Sequence, residues 1–285
     1  MRISRLISFS VAILLGIAAE RGAAGEKAAP PPERVVSINL CTDQLAMLVA
    51  APGQLVSVSF MARDPRASSM AEDAAEVPIN HARAEEIYLL KPDLVLAGRF
   101  TSPATVSMLR RLGIPVAQFD TANTLADVAL RLEEVGAALG QGDKAAALAQ
   151  DYRAKLAAFA GPDGQRPYAI LFGAGGYTAG RETLAGHIIR AAGFDNAAED
   201  AGFAYGGFMP LEILAMSAPD AIITGRPYPG ASRADAIMEH PVLQEILHGR
   251  PRSAMTDRDW VCGTPAVLGA VARTADLRRL ITGGE

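Results

Sequence analysis

The residues best suited to chemistry in this chain follow predicted β-strands. Each predicted strand is a short apolar run, and polar, aromatic or basic residues stand directly after it or in the loop beyond. Ligands of open α/β sheets bind beyond the carboxyl ends of the strands. The candidate ligand-binding residues are Asn39, Cys41, Phe60, Met61, Arg63, Arg99, Tyr177, Tyr205, Arg226, Asp259, Trp260 and Cys262. Such a set can stack on a flat or bulky ligand and neutralise its acidic groups.

These residues favour a binding site over a catalytic one. The sequence contains neither a GxSxG nucleophile elbow nor a GxxxxGK[ST] phosphate loop. A secreted α/β enzyme is therefore the weaker alternative, and no cofactor is expected. Trp260 is the single tryptophan and lies in a polar loop, where it either contacts a ligand or is a partly buried structural residue.

Histidine and cysteine offer two further kinds of site. The four histidines are scattered, with no HxxxH or HExxH spacing. A receptor for a bare zinc or manganese ion is disfavoured, because such an ion needs three or four converging ligands. Cys41 and Cys262 leave three alternatives open: a disulfide between them, two small buried residues, or thiols that touch the ligand.

Two segments of the chain match each other at a constant spacing of 127 residues. The matched pairs are Glu85 and Glu212, Pro92 and Pro219, Asp93 and Asp220, Gly98 and Gly225, and Arg99 and Arg226. Each copy predicts a short helix, a buried parallel strand and a Gly-Arg pair at the strand end, which indicates two related α/β lobes. Glu85 and Glu212 either only begin helices, where the dipole favours a carboxylate, or dock onto a two-fold partner.

The segment between the two copies is expected to connect the lobes. Residues 143–161 are Ala-rich with no internal Gly or Pro, and Leu148, Tyr152, Leu156 and Phe159 recur at helical spacing. The pattern predicts one long helix that begins near Asp143. The expected organisation is a signal peptide (1–24), a linker (25–33), an N-terminal lobe (34–142), the connecting helix (143–161) and a C-terminal lobe (162–285).

The N-terminal residues predict export. Arg2 and Arg5 precede the apolar run 6–19, which is too short to span a bilayer, and small residues up to Ala24 follow. Cleavage near Ala24 removes three of the 27 basic and one of the 31 acidic residues, which leaves a net charge of −6. Because no basic run is present, nucleic acid is not an expected partner. A soluble exported protein that is not inserted in the membrane is expected.

From about residue 34 to residue 281, the chain resembles the periplasmic substrate-binding proteins for iron complexes and vitamin B12. The features that carry this resemblance are RVVSI at 34–38, KPDLVLA at 91–97, FG at 172–173, YTAG at 177–180, PDAII at 219–223, and Asp259-Trp260 with Pro265. The resemblance implies two Rossmann-like parallel-sheet lobes joined by a single long α-helix. It also implies a receptor that delivers a small metal complex to the permease dimer of an ABC importer.

The resemblance assigns roles to individual residues as well. It implies that Glu85 and Glu212 contact arginines of the permease. It places ligand contacts at Phe60 and Met61, at Tyr177 and in the Asp259-Trp260 loop. The chain lacks the tryptophans that vitamin-B12 members carry near Ile79 and after Ala97. The ligand therefore stays open among a ferric siderophore, haem and a corrinoid.

Overall fold

The computed structural model describes residues 30–159, 166–225 and 233–283. The predicted signal peptide, most of the predicted linker and Arg226 lie outside the described residues. From Pro31 onward, the described residues belong to one compact unit.

Strands and helices alternate along the chain, as predicted. The strands are β1 (Val35–Ser37), β2 (Leu55–Ser59), β3 (Ile79–Asn80), β4 (Leu94–Gly98), β5 (Val116–Phe119), β6 (Tyr168–Phe172), β7 (Tyr177–Thr178), β8 (Asp195–Asn196), β9 (Gly207–Phe208), β10 (Ala221–Thr224) and β11 (Arg252–Ala254). The helices are α1 (Leu40–Val49), α2 (Ala84–Leu89), α3 (Pro103–Arg111), α4 (Leu125–Ala138), α5 (Gly142–Ala157), α6 (Leu184–Ala191), α7 (Ala197–Asp200), α8 (Leu211–Ser217), α9 (Pro241–Leu247), α10 (Asp257–Trp260) and α11 (Val267–Thr282).

Nine of the strands form two parallel sheets of related topology, and β7 and β9 form a separate antiparallel pair. The first sheet has the order β3-β2-β1-β4-β5 and the second the order β8-β6-β10-β11. When β4 is matched with β10, as the 127-residue repeat predicts, the neighbours β1 and β6, β2 and β8, and β5 and β11 also match. The predicted fold of two parallel α/β lobes joined by one long helix is confirmed.

The matched aspartates have the same role in both sheets. The carboxylate of Asp93 accepts the backbone N–H of Arg34 at 3.0 Å, just before β1. The carboxylate of Asp220 accepts the backbone N–H of Tyr168 at 2.8 Å, at the start of β6. Asp93 therefore fixes the start of β1 to the start of β4, and Asp220 fixes the start of β6 to the start of β10.

The connecting helix α5 packs along α4. The Tyr152 hydroxyl donates to the Leu125 carbonyl at 2.8 Å, and Gly136 lies so close to Ala145 that an added Cβ would be 2.1 Å from the alanine Cβ. One buried apolar cluster runs from β4 through α4 and α6 to β6. The two lobes therefore share a continuous core.

Three local features define where helices begin. Asn39 caps α1, because the Asn39 side chain accepts the N–H groups of Cys41 and Thr42. Gln141 stands at the N-cap of α5, one residue before Gly142 and close to the predicted start at Asp143. The 3₁₀ segment Asp235–Glu239 ends before α9, because Pro241 holds the preceding residue extended.

Candidate functional site

The second sheet carries an apolar pocket at the carboxyl ends of its strands. Its volume is about 440 Å³. It is lined by Leu171, Gly173, Ala174, Tyr177, Phe208, Gly225, Met238, Met255, Thr256 and Trp260, with the carboxylates of Asp235, Glu239 and Asp257. The size and the mainly apolar lining suit a bulky organic ligand.

Three aromatic rings form the wall of this pocket. Tyr177 and Trp260 are stacked, with ring centroids 5.7 Å apart and planes at 12°. Phe208 meets Tyr177 edge-on at 6.2 Å, because β7 and β9 pair these two residues directly. Burial and the Asp257 carboxylate raise the pKa of Tyr177 above its ordinary value, so its phenol stays neutral at physiological pH.

A tight glycine turn brings Tyr177 to this position. Gly175 and Gly176 both have positive φ, 66° and 81°. A Cβ at Gly176 would lie 2.6 Å from the Met209 carbonyl oxygen, so only glycine lets β7 approach the chain that follows β9.

Asp259 supports the tryptophan rather than lining the pocket. Its carboxylate accepts the Thr256 backbone N–H at 2.7 Å and the Thr256 hydroxyl at 2.8 Å, which forms a capping box for α10. Arg273 forms an ion pair with the same carboxylate. These contacts hold α10, and with it Trp260, against α11.

The first sheet presents a second aromatic pair at its carboxyl ends. Phe60 begins the 3₁₀ turn Phe60–Arg63, and its ring stacks on His81 with centroids 5.5 Å apart and planes at 22°. Phe60 is 50% exposed, and Met61 is half-buried in the same turn. Histidine was not among the predicted ligand contacts, although His81 leads into the first repeat helix, a position from which it could face the cleft.

Two of the three predicted cationic contacts have partners within the protein, and the third, Arg226, lies outside the described residues. Arg63 donates to the carbonyls of Ala74, Ala75 and Val77 and so fixes the loop after β2. Arg99 forms an exposed ion pair with Asp120 at 2.9 Å.

The other predicted contacts are dispersed. Asn39, Cys41 and Arg99 line a narrow crevice of about 60 Å³ at the end of β4. A Cβ on Gly98 would lie 2.8 Å from the Asn39 side chain, which explains the glycine of the first repeat copy. Tyr205 is 82% exposed and does not line the aromatic pocket.

Cys41 and Cys262 form a disulfide, the first of the three alternatives that the sequence left open. Their Cα atoms are 5.0 Å apart across 221 residues of sequence. The bond joins α1, on the first sheet, to the segment before α11, which packs on the second sheet. The backbone N–H of Arg258 also donates to the Arg66 carbonyl at 3.0 Å. The two lobes are thus tied together beside the aromatic pocket.

A buried carboxyl group lies next to this junction. Asp43 accepts the Ser59 backbone N–H at 3.1 Å and the Ser59 hydroxyl at 2.5 Å. Burial outweighs the hydrogen bonds from Ser59 and Ser37 and raises its pKa to about 6.

Glu85 and Glu212 lie in the first turns of α2 and α8, and both are exposed. Neither makes an ion pair within the part of the chain that the structure describes. Two apolar side chains at the ends of these helices, Leu89 and Met216, are also 127 residues apart and are 77% and 80% exposed. The two helices present the same combination of charge and apolar surface.

Sequence comparison assigns the chain to a family. The family model described as "Periplasmic binding protein" matches residues 35–247. The chain belongs to the periplasmic binding protein family. Among the described residues of this family member, no helix has both the length and the apolar character needed to cross a membrane.

Individual relatives give more detail. A cobalamin-binding protein of Halobacterium salinarum is 33% identical over 212 residues, which cover 72% of this chain and 56% of that protein. The chain thus spans just over half the length of that relative. A vitamin B12-binding protein of Pectobacterium atrosepticum is 27% identical over 205 residues, 68% of this chain and 72% of that protein.

Solved structures of the same fold include the apo form of the periplasmic heme-binding protein RhuT from Roseiflexus sp. RS-1. It superimposes with a TM-score of 0.71 at 24% identity, over 86% of this chain and 99% of that one. At this identity the likeness concerns the fold alone.

Proposed function

We propose that this protein is the periplasmic substrate-binding component of an ABC importer and that it carries a corrinoid in the cleft between its lobes. The observation that carries the proposal is the stacked pair of Tyr177 and Trp260, with Phe208 beside it, in an apolar pocket of about 440 Å³. A broad, flat macrocycle buries its face on such a wall.

Two observations favour a corrinoid over haem or an acidic siderophore. Arg63 and Arg99, which could have bound acidic ligand groups, already hold loop carbonyls and Asp120. The names of the relatives from Halobacterium and Pectobacterium support the same choice.

The other parts of the proposal concern delivery. The protein is exported by a cleavable signal peptide, acts as a monomer without a catalytic step, and docks on the permease dimer through Glu85 and Glu212. Exposed carboxylates at the same point of two related lobes support this role. The proposed lobes are residues 34–142 and 162–285, and the connecting segment is 143–161, within which α5 ends at Ala157. Phe60 and Met61 face the ligand from the N-terminal lobe.

The decisive experiment is a titration of the purified protein with cyanocobalamin, haemin and a ferric hydroxamate in parallel. Because Trp260 is the only tryptophan, quenching of its fluorescence reports on the pocket itself. Saturable quenching by cyanocobalamin alone is expected. Quenching by haemin alone or by the hydroxamate alone would identify that compound, and not a corrinoid, as the ligand. No quenching by any of the three would favour a bare-metal receptor or an enzyme.

A variant tests the pocket directly. Trp260→Ala should weaken cyanocobalamin binding by about 1–3 kcal/mol, measured by calorimetry since the fluorophore is lost. The matched control is Tyr88→Ala, because Tyr88 is an exposed aromatic residue on α2. Equal affinity in both variants would remove Trp260 from the site.

A further inference from the structure

The turn that carries His81 is held in place by the hydrogen bonds of the preceding residue, Asn80. Asn80 is fully buried, and its amide group donates to the Ser37 carbonyl and the Ser57 hydroxyl, both at 2.9 Å. Its side-chain oxygen accepts the backbone N–H of Ala82 at 3.1 Å. Ala82 has a φ of 56°, a left-handed conformation that a residue with a Cβ rarely adopts. Backbone strain of this kind is found mainly where a neighbouring side chain must be placed accurately.

Glu86 fixes the imidazole on this turn. One carboxylate oxygen accepts the His81 backbone N–H at 2.8 Å, and the other lies 3.3 Å from His81 Nδ1. A proton on Nδ1 that faces a carboxylate leaves the lone pair on Nε2, the arrangement found in histidines that bind metals. The ring is stacked on Phe60 and its side chain is 54% exposed, so the imidazole is both oriented and accessible.

The position of the turn relates it to the proposed ligand. His81 follows β3 and Phe60 follows β2, so both lie at the carboxyl edge of the first sheet. The aromatic pocket lies at the corresponding edge of the second sheet, and the hydrogen bond between Arg258 and Arg66 joins the loops of the two edges. His81 therefore belongs to the N-terminal wall of the cleft.

We infer that His81 Nε2 coordinates the cobalt of the bound corrinoid at its exchangeable axial position. The inference rests on the proposed function. The step is a ligand substitution: the Nε2 lone pair forms a Co–N bond, the Co–OH₂ bond breaks, water leaves, and the cobalt keeps its oxidation state. Among the described residues, no group of three or more His, Cys, Asp or Glu could hold a bare metal ion. A single imidazole suffices here, because the macrocycle supplies the equatorial ligands.

The test compares aquocobalamin, whose axial water exchanges, with cyanocobalamin, whose cyanide blocks the same position. The visible absorbance of aquocobalamin should shift to the red on binding to the wild-type protein, and that of cyanocobalamin should not. His81→Ala should abolish the shift and weaken aquocobalamin binding by about tenfold or more, since losing a residue that only orients a metal ligand already costs about 10–100-fold. The cyanocobalamin affinity of this variant should fall by less than the aquocobalamin affinity, because cyanide prevents the cobalt contact in the wild-type protein as well.

Two further variants separate coordination from folding. His248→Ala removes an exposed histidine at the end of α9 and should keep the spectral shift. Glu86→Gln retains an acceptor for Nδ1 but can also present its NH₂ group to the ring, so it orients the imidazole less strictly and should bind aquocobalamin with a smaller shifted fraction. His81→Gln, with thermal melting as the folding check, replaces His81→Ala if the latter is unstable.

The outcomes are distinct from those of the function test. If both cobalamins bind the wild-type protein without a shift, or if the shift survives in His81→Ala, the inference is wrong while the corrinoid proposal stands. If neither cobalamin binds, the corrinoid proposal itself fails.

Discussion

Replacing both Cys41 and Cys262 with alanine removes the covalent link between α1 and the segment before α11. The link closes a loop of 221 residues, and its main effect is to restrict the unfolded chain. The chain-entropy estimate for a loop of this length is about 5 kcal/mol at 25 °C. Because unfolded chains retain some structure, we expect a measured loss of about 2–5 kcal/mol in the free energy of unfolding.

The folded state should survive this change. The lobes also share the apolar cluster that runs through α4 and α6, and the hydrogen bond between Arg258 and Arg66 remains. The variant should therefore keep its secondary structure and bind its ligand. Its unfolded state loses a cross-link and becomes less compact, so the urea m-value should rise as the midpoint falls.

The assay is urea unfolding followed by Trp260 fluorescence and by circular dichroism. The wild-type protein is measured with and without reductant, and the double variant under both conditions. Reduction should move the wild-type midpoint to that of the variant, whereas the variant should not respond to reductant. If the reduced and oxidised wild-type proteins unfold at the same urea concentration, the reasoning from loop closure is refuted.

Three further predictions concern charge and motion. Because burial raises the pKa of Asp43 to about 6, this carboxyl group stays protonated in the folded protein at pH values where it is ionised in the unfolded chain. The free energy of unfolding should therefore fall by about 3 kcal/mol as pH rises from about 4 to above 6. Urea titrations of Asp43→Asn should show a weaker dependence on pH, and identical pH profiles of variant and wild type would contradict this. Glu85→Lys with Glu212→Lys should abolish uptake and permease complex formation, since like charges at such an interface cost several kcal/mol, with ligand affinity unchanged; normal uptake would leave the pair as helix-start residues. Solution scattering with and without ligand should show only a small relative movement of the lobes, because α5 and the disulfide join them; a rotation of tens of degrees would refute this.

Local sequence was sufficient for most of the fold. β4 and β10 lie where the repeat predicts a buried parallel strand before Gly98 and Gly225, because such a strand needs only a hydrophobic run and neighbouring chain breakers. The repeat predicted that β4 and β10 are equivalent strands. Asp93 and Asp220 give the physical reason, because each accepts a backbone hydrogen bond at the start of the first strand of its lobe. Two segments with the same helix-strand structure need the same contact at the same position.

The site depended on contacts between residues far apart in the sequence. Tyr177 and Trp260 were predicted separately, but their stacking arises only where the glycine turn before β7 meets α10. Asp259 was a predicted ligand contact, but its carboxylate is hydrogen-bonded to Thr256 and ion-paired with Arg273. Met238 and Met255 carry no sequence signal at all, since flexible apolar side chains line pockets and cores alike.

The sequence by itself determined two α/β lobes, the helix between them and the type of residue at each strand end, because propensity and apolar spacing act over a few residues. Only the tertiary structure decided which strand ends meet. It placed Cys41 and Cys262 5.0 Å apart across 221 residues, paired Arg99 with Asp120, and set His81 between Phe60 and Glu86. The pairing of β4 with β5 brings Arg99 to Asp120, and the pairing of β2 with β3 brings Phe60 to His81. These pairings join segments that are about 20 residues apart, and the disulfide joins segments from the two lobes.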